Sequence, residues 1–177
     1  MRVTKYNRVG STEENLPFIA EVLRRNLRSG TDDTAVRAVA EQIIKGVGAR
    51  NYLGEIRAIH DWVKGHIRYT GDPYGAELIR SPRRMLIEYA TRRVKGEEPV
   101  VLADCDESSL LAASLLRSVG HRARIALMDT MPFSTDISHA IAQIEYPRWS
   151  DNWVFLETTQ DRELGWTPNH TRVMCVE

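Results

Sequence analysis

Apolar residues recur every three or four positions through the first half of the chain, which is the spacing of amphipathic helices. We predict helices over residues 11–30, 31–46, 52–66 and 81–95. Capping residues or a proline mark the start of the first, second and fourth helix, and a glycine marks the end of each of these three. A short strand is expected at 2–9.

After residue 120 the spacing of apolar residues changes from helical to alternating. Ala123, Ile125 and Leu127 alternate with other side chains, which predicts a strand. Further strands are expected over 138–146, 152–158 and 171–176. Helices followed by an antiparallel meander indicate an α+β protein, with N-terminal helices packed on an antiparallel sheet.

Between the two halves, an apolar run leads into a helix that starts with one cysteine inside an acidic cluster. Asp104 is expected to cap this helix, and Glu107 completes a capping box. Cys105 is then the first helical residue, where free N–H groups and the helix dipole favour a thiolate. The neighbouring charges of Asp104, Asp106 and Glu107 would raise the thiol pKa. A cationic partner is therefore needed to favour the thiolate.

The second and third strands are predicted to form a hairpin centred on Arg148. In that register His139 lies directly opposite Glu157, on the same face of the sheet. A slip of one residue would separate them. If the N-terminus of the cysteine helix packs over His139, an imidazolium would stabilise the thiolate and Glu157 would orient the ring. The Cys105 N–H would be one oxyanion donor, and no second donor is identified.

The composition of the chain argues against nucleic-acid binding and against membrane association. The 177 residues include 24 basic and 24 acidic ones, so no overall field attracts nucleic acid or an anionic membrane. No apolar run reaches the roughly 20 residues that span a bilayer, and no signal peptide is expected. Two cysteines are too few for a disulfide framework, which favours a reducing compartment. We expect a protein of the cytoplasm, or of a particle assembled there, with neither nucleic-acid nor membrane partners.

Neither a metal site nor a cofactor is expected. His60 and His66 lie six residues apart on one predicted helix, which is the wrong spacing for joint ligation. The acidic cluster at 104–107 could attract a hard cation, but its spacing matches no calcium loop. The other histidines lack a neighbourhood like that of His139.

Four stretches together resemble the transglutaminase-like superfamily, whose core has the arrangement of papain-like cysteine proteases. The resemblance covers residues 52–160, and the order of cysteine, histidine and acid is specific when the stretches are taken together. It implies Cys105 as nucleophile, His139 as base and Glu157 as the residue that orients the base. The stretches are Ile56 to Val63 with Ile67-Arg68-Tyr69, Asp104-Cys105-Asp106 with the following helix and strand, Ser138-His139-Ala140, and Asn152 to Thr159.

Two positions depart from the family pattern. The family usually has aspartate where Glu157 stands, so the reach of the acid differs by one methylene. It commonly has glycine where Ala103 stands, two residues before the nucleophile. The compact chain resembles bacterial and phage members. We expect one transglutaminase-like domain over 1–177, with a helical N-terminal extension at 1–50 and a core at 52–160.

These observations predict a cysteine-dependent acyl-transfer enzyme that acts on a protein or peptide. Hydrolysis of an amide through a thioester is favoured over the transfer to an amine by a protein-glutamine transglutaminase, because no acceptor site is located. The other alternative is a catalytically inactive structural or assembly protein, since Cys105, His139 and Glu157 taken singly also fit packing or surface roles. Labelling of Cys105 by iodoacetamide below about pH 8, faster than Cys175, would favour the enzyme. The sequence carries no indication of oligomeric state.

Overall fold

The computed structural model describes residues 3–7, 12–73, 76–131 and 137–177. Ser11, at the predicted start of the first helix, and both ends of the strand predicted at 2–9 lie outside these residues. The described helices are α1 (Thr12–Thr31), α2 (Thr34–Ile44), α3 (Tyr52–His66), α4 (Pro82–Val94) and α5 (Cys105–Ser118). The described strands are β1 (Val3–Asn7), β2 (Ile67–Tyr69), β3 (Ala76–Arg80), β4 (Val101–Ala103), β5 (Ala123–Asp129), β6 (His139–Glu145), β7 (Trp153–Leu156) and β8 (Arg172–Val176).

The described strands form one antiparallel sheet of four strands and two smaller pairs. The order in the large sheet is β7-β6-β5-β8, so the predicted meander is present and the last strand joins it beside β5. The strands β2 and β4 pair in parallel, and β1 pairs with β3 in the antiparallel sense. The α+β class is confirmed. The strand β3 is an element that the sequence pattern did not predict.

The helix α5 runs through the centre of the fold. It contacts the four other described helices as well as β5 and β6. A helix that is apolar all round is typical of such a central position, and burying each leucine stabilises the fold by about 1.5–3 kcal/mol. The side chains of α5 that are at most 1% exposed and apolar are those of Leu110, Leu111, Ala112, Ala113, Leu115 and Leu116.

Gly30 lies inside α1, although the sequence pattern predicted that it ends the helix. A Cβ at this position would meet Ser114 Oγ at 2.6 Å and Pro82 Cγ at 2.8 Å. The close approach of α1 to α5 therefore requires a residue without a side chain. The glycine serves helix packing, and α1 continues to Thr31.

The packing of α5 on the sheet determines where its first residue lies. The core side chains of α5 pack with Ala140, Ala142 and Ile144, which occupy alternate positions of β6. Ser109 of α5 donates a hydrogen bond from Oγ to the carbonyl of Ala140 at 3.0 Å. The N-terminus of α5, with Cys105, is thereby held at the end of the sheet where β6 begins. None of the helices in the described ranges has the length and apolar character needed to cross a membrane.

Candidate active site

Asp104 caps α5 as predicted, because its Oδ1 accepts the backbone N–H of Glu107 at 3.2 Å. The reciprocal half of the capping box is replaced by an ion pair. The carboxylate of Glu107 instead accepts the Arg80 backbone N–H at 2.7 Å and two guanidinium N–H groups at 2.8 and 2.5 Å. Charge-assisted bonds of this kind are stronger than a bond to a neutral amide. The pair fastens β3 to the first turn of α5.

Cys105 is half-buried and lines a cavity of about 470 Å³. His139 lines the same cavity, as do Tyr69 and the carboxylates of Asp72 and Glu77. Tyr69 reaches this place because β2 runs parallel to β4, with Tyr69 beside the last residue of β4. The first residue of α5 and the first residue of β6 therefore face one space.

The surroundings of Cys105 oppose the thiolate that the sequence led us to expect. Burial raises the pKa of the thiol, and the nearby charges of Asp106 and Asp104 raise it further. The backbone N–H groups of Ala140 and of Cys105 itself lower it, but they do not compensate. The helix start thus supplies donors without making the resting sulfur an anion.

His139 and Glu157 form the predicted pair. The ring Nε2 of His139 lies 2.8 Å from Glu157 Oε2, and the Glu157 side chain is 1% exposed. Because an ionised carboxylate only accepts hydrogen bonds, Nε2 carries the proton and Nδ1 is the basic nitrogen of the neutral ring. Burial alone would raise the pKa of Glu157. The hydrogen bonds from His139 and from the hydroxyl and N–H of Thr159 outweigh it and lower this pKa.

The pairing of β6 with β7 differs by two residues from the predicted register. Gln143 lies opposite Phe155, whereas a turn centred on Arg148 would place it opposite Trp153. A longer loop explains the shift, since the Tyr146 N–H donates to the Asn152 carbonyl at 2.9 Å. A shift of two residues keeps every side chain on its face.

In the observed register His139 and Glu157 are diagonal neighbours, and Glu157 follows the end of β7. Diagonal positions are roughly 7–8 Å apart, a separation that only longer side chains bridge. The extra methylene of glutamate, compared with the aspartate usual in the family, suits this arrangement.

Cys105 and His139 line the same cavity. Within the described part of the chain, no hydrogen bond joins the Cys105 sulfur to the His139 ring. The core side chains of α5 pack with Ala140 and Ala142, whose positions on β6 alternate with that of His139. Cys105 and His139 are brought together as lining residues of one cavity, at the end of the sheet where β6 begins.

His60 belongs to this neighbourhood although its sequence context did not indicate it. Its Nε2 donates to the backbone carbonyl of Glu157 at 2.7 Å, and the residue is 2% exposed. The only sequence signal was its place on the apolar stripe of α3 with Ile59 and Val63, which indicates burial but not a partner. The contact joins residues 97 positions apart, so spacing along the chain could not reveal it.

Comparisons with known proteins found one sequence family and similar solved structures. The sequence model of the transglutaminase-like superfamily matches residues 37–158. A solved structure titled "a Putative Cysteine Protease from Cytophaga hutchinsonii" is 13% identical, with a TM-score of 0.50 over 80% of this chain and 50% of that one. Another, titled "a putative protease from Parabacteroides distasonis ATCC 8503", is 14% identical, with a TM-score of 0.49 over 71% of this chain and 24% of that one.

The chain spans about half of the length of the Cytophaga hutchinsonii protein and about a quarter of the length of the Parabacteroides distasonis protein. No curated protein matches it. The likeness to the Cytophaga hutchinsonii structure shows a shared fold, and the family match supports a cysteine-dependent enzyme in general terms. Since the matched region covers more than half of its residues, this chain belongs to the transglutaminase-like superfamily.

Proposed function

We propose that the protein is a cysteine-dependent acyl-transfer enzyme that hydrolyses an amide bond of a protein or peptide. In this proposal Cys105 is the nucleophile, His139 the general base and Glu157 the residue that orients the base. The observation that carries it is the hydrogen bond between His139 and the buried Glu157 beside a cavity that also holds the Cys105 sulfur.

The raised thiol pKa determines how the first step would proceed. The sulfur attacks the carbonyl carbon as its proton moves to Nδ1 of His139, so an S–C bond forms while an imidazolium develops. The charge of Glu157 stabilises that imidazolium. The proton then passes to the amine as the C–N bond breaks, which leaves a thioester on Cys105. Water attacks the thioester with His139 again as base. The S–C bond then breaks, and the proton passes from His139 to the sulfur, which restores the thiol and the neutral ring.

In this proposal two donors stabilise the oxyanion. The first is the Cys105 backbone N–H at the start of α5. The second is the hydroxyl of Tyr69, which lines the same cavity. Burial raises the pKa of Tyr69, and the nearby Cys105, Asp104 and other acidic groups raise it further. The phenol therefore stays protonated at neutral pH and can donate.

Tyr69→Phe is expected to lower kcat by about 10²-fold while KM changes little, because an oxyanion donor acts on the transition state. Steady-state kinetics with an activated ester measure this split. Tyr89→Phe is the matched control, since Tyr89 packs against Trp62 and His66 away from the cavity. Unchanged kcat in Tyr69→Phe would remove Tyr69 from the mechanism.

Glu157→Gln is expected to lower kcat/KM by about 10–10³-fold without eliminating it. The amide carries no charge to stabilise an imidazolium, and its N–H₂ group can hold His139 in the tautomer that lacks a basic Nδ1. Steady-state kinetics with the same ester test this, and wild-type rates in the variant would refute the assigned role.

The same substitution has a pH-dependent effect on stability. The folded pKa of Glu157 lies below its ordinary value of 4.5. The carboxylate therefore contributes stability above that pH, and the contribution is lost as the pH falls through the folded pKa. We expect the difference in melting temperature between wild type and Glu157→Gln to narrow from pH 7 to pH 3.

Acylation by p-nitrophenyl acetate tests the proposed function without knowledge of the substrate. The expected result is an acetyl group on the peptide that contains Cys105, detected by mass spectrometry, followed by its loss through hydrolysis. Cys175→Ala is the matched control and is expected to acylate normally, because Cys175 lies exposed on β8. Adding a primary amine distinguishes the acceptors, since faster loss of the acetyl group with amide product would indicate transfer.

The raised pKa of Cys105 favours a second candidate, a catalytically inactive member that serves as a structural or assembly protein. This candidate predicts that p-nitrophenyl acetate modifies the exposed Cys175 and leaves Cys105 unmodified. The same acylation experiment therefore separates the two candidates.

A further inference from the structure

Two adjacent serines are buried on α5, on the turn that follows the proposed nucleophile. Ser108 and Ser109 are 0% and 1% exposed, and they follow Cys105 by three and four positions. Residues with these spacings share one face of a helix, so both hydroxyl groups lie on the face that carries Cys105. A buried hydroxyl costs free energy unless it forms a hydrogen bond. The partners of the two serines therefore indicate why polar residues occupy this part of the core.

Ser109 joins α5 to the strand that carries the proposed base. Its Oγ donates a hydrogen bond to the carbonyl of Ala140 at 3.0 Å. Ala140 is 3% exposed and directly follows His139 at the start of β6. The bond therefore holds α5, one turn after Cys105, against the residue beside the imidazole.

Ser108 joins α5 to the segment that carries the proposed acid. Its Oγ lies 2.7 Å from Oγ1 of Thr158, which is 4% exposed and directly follows Glu157. Both Glu157 and Thr158 lie beyond Leu156, where β7 and its pairing with β6 end. The ladder of the sheet does not extend to these two residues, so the bond to α5 holds a part of the chain that strand pairing leaves free.

The other two serines of α5 make no such connection. Ser118 Oγ donates to the carbonyl of Leu115 in its own helix at 2.8 Å, which is the usual arrangement for a serine within a helix. Ser114 is 0% exposed, and its Oγ has no hydrogen-bond partner among the described residues. The hydroxyl groups that leave their own helix for a partner are therefore those nearest to Cys105.

We infer that Ser108 and Ser109 are positioning residues that fix the Cys105 sulfur relative to the base and the acid. This inference rests on the proposed function, because it assigns the serines a part in assembling the three proposed catalytic groups. Those groups lie on α5, at the start of β6 and after the end of β7, and the two bonds connect all three places. A misplacement of about 1 Å between reacting groups can cost about 10²-fold in rate.

Ser108→Ala and Ser109→Ala are each expected to lower kcat for p-nitrophenyl acetate by about 10-fold or more. The KM is expected to change little, because misplaced groups raise the barrier of the reaction rather than weaken the binding of a small ester. Alanine is favourable within a helix, so both variants should fold. Rates are compared at a temperature at which circular dichroism shows every variant folded.

Ser114→Ala is the matched control. It makes the same substitution at an equally buried position of the same helix, but it removes no hydrogen bond. It should turn over the ester at the wild-type rate. If Ser108 and Ser109 served stability alone, their alanine variants would have a lower melting temperature and an unchanged kcat, which would overturn the inference.

Removal of the partner hydroxyl tests the Ser108 bond from the other side, without a change in α5. Thr158→Val keeps the branched shape of the side chain and removes Oγ1, so it is expected to lower kcat by about as much as Ser108→Ala. The double variant should lose no more than either single variant, because all three lack the same bond. Losses that add in the double variant would contradict an action through this bond.

The outcomes for this inference and for the proposed function are distinguishable. If the wild type is acylated at Cys105 and kcat is unchanged in Ser108→Ala and Ser109→Ala, only the positioning role is overturned. An unchanged kcat in one of them removes that serine from the role. If the wild type is not acylated at Cys105, the proposed function fails and the inference fails with it. Loss of kcat in both variants, with wild-type kcat in Ser114→Ala, would support the positioning role.

Discussion

Cys105→Ala is expected to abolish acyl transfer, with kcat/KM for an activated ester reduced by at least about 10⁴-fold. The reason is that no other nucleophile is assigned in the proposed reaction, and removal of the sulfur prevents the thioester from forming. Alanine is a favourable residue in a helix, so α5 should keep its start at this position. The melting temperature is expected to stay within about 4 °C of the wild type.

The control for this variant is Cys175→Ala, which removes the other cysteine from the exposed edge of β8. It should retain wild-type turnover. Comparable ester turnover in wild type and Cys105→Ala would contradict the assignment of the nucleophile, provided that both proteins are folded by circular dichroism.

His139→Ala is expected to lower kcat/KM by about 10²–10⁴-fold, the usual contribution of a general base. The effect should be large here because burial and the charges of Asp104 and Asp106 hold Cys105 as a neutral thiol. Without a base the sulfur keeps its proton during attack. The buried Glu157 would also lose its ring partner, so the melting temperature is measured in parallel.

Added imidazole is expected to restore part of the activity of His139→Ala, because the cavity of about 470 Å³ has room for the small base. His170→Ala is the matched control, since His170 is exposed and its Nδ1 donates a hydrogen bond to the carbonyl of Pro168. Wild-type turnover in His139→Ala would remove His139 from the mechanism.

Features that depend on neighbouring residues could be predicted from the sequence. The limits of α3 follow from the period of its apolar stripe, and the start of α5 follows from the capping chemistry of Asp104. The shared face of His139 and Glu157 was also predicted, because alternation along a strand survives an error of two residues in register.

Features that depend on distant residues could not be predicted. Glu107 completes no capping box because Arg80, 27 positions away, provides a stronger partner. The register of β6 and β7 required the length of the loop, which the residues Pro147 to Trp149 do not specify. The strand β3 lacks strict alternation, since Ala76 and Glu77 are both buried.

The thiol of Cys105 illustrates the same division. The sequence indicated both that the helix start lowers the pKa of this thiol and that Asp104 and Asp106 raise it. Burial is the largest influence on this pKa, and its extent follows only from the packing of α5 against β6. The balance between donors and acids was therefore decided by tertiary structure.

The rate of alkylation of Cys105 by iodoacetamide at pH 7, compared between wild type and His139→Ala, tests most directly whether the imidazole acts on the sulfur. Peptide mass spectrometry quantifies Cys105 and Cys175 in the same digest, so Cys175 is an internal reference. We predict that Cys105 reacts at least about 10-fold faster in the wild type, while Cys175 reacts equally in both proteins. Equal rates at Cys105 in the two proteins would contradict the central claim that this histidine activates this cysteine.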